Sequence, residues 1–85
     1  MHPGDMRAQV NQALDDPETV LRKAGMDFSN IVRLNEYTTD MEAWFAVHDV
    51  LDTRLANCQF ASTLSGVTRL AIPELLVELE ATAVS

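Results

Sequence analysis

At 85 residues the chain has room for one domain, and a chain this short buries only a modest share of its surface, so its stability is expected to draw on partners. A formal charge of −7 with six scattered basic residues argues against a DNA or RNA surface, which needs clustered Lys and Arg, and the same repulsion disfavours an anionic membrane. No apolar run approaches the roughly 20 residues that span a bilayer.

Hydrophobic residues make up 47% of the chain and no low-complexity block divides it, which favours a globular fold over disorder. The opening Met1-His2-Pro3-Gly4-Asp5 lacks the basic-then-apolar pattern of a secretory signal. Cys58 is the one cysteine and cannot close an internal disulfide, which fits a reducing cytoplasm.

From Met6 to Lys23, the residues Val10, Ala13, Leu14, Pro17, Leu21 and Ala24 recur every three or four positions and predict a helix with one apolar face. A proline inside a helix removes a backbone bond and costs about 3 kcal/mol, so Asp16-Pro17 is where this helix would kink or restart. Gly25 supplies its stop. Asn30 to Thr38 reads as a strand, with Val32 and Leu34 on one face and Arg33, Asn35 and Tyr37 on the other.

Thr39 or Asp40 caps a second helix, with Glu42 close behind and Trp44, Val47, Leu51 and Leu55 as its apolar stripe. A connection holding Asn57, Cys58 and Gln59 leads to a short strand over Ser62 to Thr68, loosened by Gly66. Pro73 marks a turn. Leu75 to Ala83 then alternates, with Val77, Leu79, Ala81 and Ala83 against Leu76, Glu78, Glu80 and Thr82. The acids Asp15, Asp16, Asp40 and Glu42 are placed at helix starts, where negative charge is favoured.

The order is thus α-β-α-β-β, an α+β domain. A strand-helix-strand crossover puts both helices on one face of the sheet. The other face carries Arg33, Asn35, Tyr37, Glu78 and Glu80, and together with at least one strand edge it stays open to water unless an oligomer covers it.

Four strings in this order resemble the YjgF/RidA family. Gln9 to Gly25 (Q-V-N-Q-A-L-D-D-P-E-T-V-L-R-K-A-G) is similar to a first helix of the form Q-x-x-Q-A-L with a V-L-x-x-A-G ending, and Asn30 to Met41 follows the family strand closing on T-D-M. Ala46-Val47-His48-Asp49-Val50 falls on the second helix, and Leu76 to Ala83 looks like the closing V-E-I-E-A-x-A strand. The resemblance implies a chorismate-mutase-like domain, two helices packed on one face of a mixed sheet. It further implies a homotrimer with the sheets around a central barrel and ligand clefts between subunits, in the cytoplasm, with no cofactor or metal.

Two departures qualify what the resemblance implies. Family members open with a strand hairpin for which this chain has no residues, so residues 1–85 read as a single RidA-like domain that is incomplete at its amino end. In deaminating members a P-A-R or P-T-R triplet supplies an arginine that holds the substrate carboxylate through a bidentate pair. Here Phe60-Ala61-Ser62 stands in its place, and Ser62, followed by Thr63, offers a hydrogen bond without charge.

Glu78 falls where the family glutamate positions the hydrolytic water, work suited to a carboxylate held in a cleft. The plainer alternative is an acid on an oligomer-facing strand, paired with Arg33 or solvated. His48 stands where many relatives carry an asparagine near the cleft. It is a ligand-binding candidate with Ser62, Thr63 and Arg33, although a packed or interface histidine is the commoner case. His48 with Asp52 lacks the third ligand a metal needs, Arg69 is read as solvated surface, and Cys58 has no C-x-x-C or histidine partner in sequence. Phe45 points off the stripe, towards another subunit.

The reading is a homotrimer that binds small imino- or keto-acid-like metabolites and does not deaminate efficiently. Its alternatives are an enamine/imine deaminase releasing ammonia, with Glu78 at work, and a truncated subunit that folds only with a full-length relative.

Overall fold

Asp5 begins the first helix by accepting a hydrogen bond from the Ala8 N–H at 3.0 Å, and in the computed structural model, which describes residues 4–56 and 58–85, α1 then runs over Met6–Lys23. Met1, His2, Pro3 and Asn57 lie outside the described residues, and with them the signal-sequence reading of the first three positions. Pro17 neither restarts nor ends α1. Asp15 and Asp16 therefore sit mid-helix and not at a helix start: Asp16 accepts from the Gln12 side chain at 3.0 Å and Asp15 meets Arg54 at 2.9 Å.

The helix stops as the glycine demands. Gly25 takes φ +76°, its N–H donates to the Arg22 carbonyl at 3.0 Å, and the Met26 N–H donates to the Leu21 carbonyl at 2.8 Å. This pair of reversed bonds is the Schellman closure, and Met26 packs onto the same apolar cluster as Leu21. Met6, Gln9, Val10, Leu14 and Leu21 form the buried face, while Ala24, expected on that face, is exposed.

Strand β1 spans Ile31–Thr38, β2 Ala61–Gly66 and β3 Val77–Ala83, in the order β2-β1-β3. β2 runs parallel to β1, and β3 antiparallel to it, which makes the sheet mixed. Between β1 and β2 the single helix expected from the apolar stripe is divided at Val47 into α2 (Met41–Ala46) and α3 (His48–Arg54). Asp40 caps α2 by accepting from the Ala43 N–H at 3.1 Å. Trp44, Leu51 and Leu55 are buried as the stripe required, joined by Val50.

One strand position departs from simple alternation. Ile31 pairs with Ala83 and Arg33 with the adjacent Thr82, so β1 holds one extra residue, a β-bulge at Val32. Val32 is consequently 47% exposed and does not share the face of Leu34. Beyond the bulge, Leu34, Glu36 and Thr38 are all buried, and Leu34 joins Val77, Leu14, Trp44 and Leu51 in the apolar core between helices and sheet.

Polar contacts of Gln9 and Arg54 help to hold the layers. The buried Gln9 side chain donates to the Glu74 carbonyl at 3.0 Å and accepts from the Leu76 N–H at 2.7 Å, tying α1 to the entrance of β3. Arg54 ties α3 to α1 through the Asn11 carbonyl at 2.9 Å, Asp15 and Glu18, with its guanidinium 5.8 Å from the Phe28 ring centroid.

Candidate functional site

Strand parity divides the candidate residues between the two faces of the sheet. Ser62 is in register with Leu34, on the helix side, whereas Thr63 pairs with Asn35 on the open side. On the helix side a cavity of about 300 Å³ opens between α3 and the β1–β2 edge, lined by Glu36, His48, Leu51, Asp52, Leu55, Cys58, Phe60 and Ser62.

Glu36 is its least expected member, a carboxylate only 6% exposed, on the face that carries Leu34. The Ser62 hydroxyl donates to its Oε1 at 3.0 Å, and no other hydrogen bond reaches the carboxylate among the described residues. Burial raises the Glu36 pKa, against which the Ser62 hydrogen bond and the charge of His48 act. Opposite it, His48 Nδ1 lies 3.1 Å from Asp52 Oδ1, one helical turn on. The His48 ring meets Trp44 edge-on, centroids 4.7 Å apart, and the buried Trp44 Nε1 has no hydrogen-bond partner among the described residues.

The open face is a polar sheet. Tyr37 stands opposite Glu78, Asn35 opposite Glu80 and Arg33 opposite Thr82. The Asn35 side chain donates to Glu80 Oε1 at 3.0 Å and the Tyr37 hydroxyl approaches the same oxygen at 3.5 Å. Since four residues along a strand separate Arg33 from the position opposite Glu78, roughly 13 Å at the usual rise, the register does not pair these two within one chain. Glu78 is exposed and borders a second cavity, of about 280 Å³, between α1 and β3, with Gln9, Gln12, Asp16, Pro17 and Leu79 among its lining.

One subunit thus brings His48 and Ser62 together and leaves Glu78, Arg33 and Thr63 on the opposite side. Arg69 and Phe45 are exposed, and Cys58 is half-buried in the first cavity. No three His, Cys, Asp or Glu side chains come together as a metal site among the described residues. No helix there is long and apolar enough to cross a membrane. Glu36 escaped the sequence reading, although its parity with Leu34 was the signal that places it beneath the helices.

Helices on one side of a short mixed sheet, a polar open face on the other and an acid-lined cavity under α3 define a small α+β domain. The sequence matches the family described as Endoribonuclease L-PSP over residues 1–85. A Mycobacterium tuberculosis member of the YjgF/YER057c/UK114 family is 34% identical and superposes with a TM-score of 0.88, covering 96% of this chain and 70% of that one. A Yersinia pestis protein of the Rid family is also 34% identical, with a TM-score of 0.85 over 96% of this chain and 64% of its own. Yeast Mmf1, at 22% identity, shares the fold with a TM-score of 0.89 over 98% of this chain and 66% of its own. The chain belongs to the YjgF/RidA family and spans about two thirds of the length of these relatives. No curated protein matches it.

Proposed function

We propose that this chain is a cytoplasmic RidA-type binding protein that assembles as a homotrimer through its open sheet face, receives a small metabolite at clefts between subunits and does not deaminate imino acids efficiently. Ser62 carries the reading. It occupies the position where the family resemblance puts the carboxylate-holding arginine, and its hydroxyl already donates to Glu36. A substrate carboxylate arriving there meets a buried acid in place of a guanidinium, and two like charges at contact distance oppose binding.

The trimer is supported by the polar open face. Arg33, Asn35, Tyr37, Glu78 and Glu80 line a strand surface that no helix among the described residues covers. Because Glu78 and the Ser62–His48 cavity lie on opposite faces, any joint action requires two subunits. Size-exclusion chromatography with mass measurement tests the assembly, and semicarbazide trapping of freshly generated 2-imino acids tests the chemistry. The expected results are a trimer mass and no acceleration. A monomer refutes the assembly, and clear acceleration that Glu78→Ala abolishes refutes the non-deaminating reading in favour of a working deaminase.

A further inference from the structure

We propose that the cavity beneath α3 takes the protonated amine of a small ligand with an apolar body, and that Glu36 is its counter-charge. This rests on the reading of the chain as a metabolite-binding protein and names the ligand class. The cavity, about 300 Å³, falls at the small end of the range for small-molecule sites. Its lining contains two carboxylates, Glu36 and Asp52, and neither Lys nor Arg.

The second observation is the state of Glu36 itself. The residue is 6% exposed, one oxygen accepts from Ser62, and the other, which keeps some access to the cavity, receives nothing from the described residues. A buried carboxylate is costly unless a cation or further hydrogen bonds offset the lost hydration. The described residues supply no cation at hydrogen-bond distance: His48 is turned to Asp52, and the arginine on α3, Arg54, is engaged with α1. An ammonium group donates three hydrogen bonds and accepts none. That complements the free Glu36 oxygen and the lone pairs that Ser62 keeps after donating its proton.

The remaining walls set the shape of the ligand. Leu51, Leu55 and Phe60 present hydrocarbon to whatever the ammonium group carries. A carboxylate on the same ligand meets the like charges of Glu36 and Asp52 there, and the imidazole in the lining, His48, already faces Asp52. The class is therefore a primary alkylammonium of a few carbons without a free acid group.

Butylammonium, butyrate and 1-butanol, three probes of nearly equal size, separate charge from shape. Binding is followed by the fluorescence of Trp44, the chain's one tryptophan, which touches His48 at the cavity wall. Backbone NMR shifts of Glu36, Asp52 and Ser62 report location. Butylammonium is expected to bind at least tenfold tighter than butanol, with butyrate weakest of the three. Glu36→Gln, which keeps the Ser62 hydrogen bond, is expected to weaken butylammonium at least tenfold, whereas Glu42→Gln, at an exposed position of α2, leaves it unchanged; equal melting curves show that the variants fold. Butyrate binding as tightly as butylammonium sinks the amine assignment and leaves the metabolite-binding reading standing. Silence from all three probes refutes the amine assignment, while the metabolite-binding reading, which places its ligand between subunits, is judged separately by the assembly and imino-acid assays.

Discussion

Replacing Gln9 with alanine removes both hydrogen bonds that fasten α1 to the start of β3, to the Glu74 carbonyl and from the Leu76 N–H. Each bond contributes about 1 kcal/mol net, and leaving a buried partner unsatisfied costs about 1–3 kcal/mol. Gln9 is 4% exposed, but Glu74 is exposed and Leu76 half-buried, so water recovers part of the loss. The expected destabilisation is about 2–3 kcal/mol, and for a domain of this size each kcal/mol lowers Tm by about 4–8 °C. Urea and thermal unfolding at fixed protein concentration measure it, with Gln12→Ala, one turn away and exposed, expected within about 0.5 kcal/mol of the parent. If Gln9→Ala is no more destabilising than Gln12→Ala, the side chain is not a fastening and the account of how α1 is held is wrong.

Glu36 makes a testable contribution to pH dependence. Its folded pKa is raised above the ordinary 4.5, so the native state holds a proton that the unfolded chain releases, and stability falls as pH rises from 4.5 through the folded value. Parallel urea titrations of the parent and Glu36→Gln across that window are expected to differ in slope in this sense; a parent that gains stability relative to the variant there contradicts the burial argument. Gly25→Ala is expected to cost about 1 kcal/mol and Gly25→Asn less, because the φ of +76° strains an ordinary side chain although a Cβ there meets nothing within 4 Å. Equal costs in thermal melts speak against a purely conformational origin. Tyr37→Glu places a carboxylate beside Glu78 and Glu80 on the open face, and under the proposed assembly it shifts the mass distribution towards monomer. An unchanged oligomer mass locates the interface elsewhere.

Much of the architecture was legible because it rests on local rules. The three- and four-residue spacing of Val10, Leu14 and Leu21 gave the first helix its full extent, Gly25 gave its stop, and alternation separated Val77 and Leu79 from Glu78 and Glu80. The second helix was legible as a stripe, but its division at Val47 was not, since Trp44, Leu51 and Leu55 stay on one side of both pieces.

The candidate site was less so. Its key pair joins residues 26 positions apart on parallel strands, and the contact exists only because Glu36 and Ser62 share the helix face of β1 and β2. Arg33 and Glu78, which share a face, are kept apart by the antiparallel register that opposes Thr82 to Arg33. Periodicity along a chain reports which side of an element meets the core, because burial follows the repeat of that element. It carries no information on how far one strand slides against another, and that offset, settled by the closure of the whole core, decides which polar side chains meet.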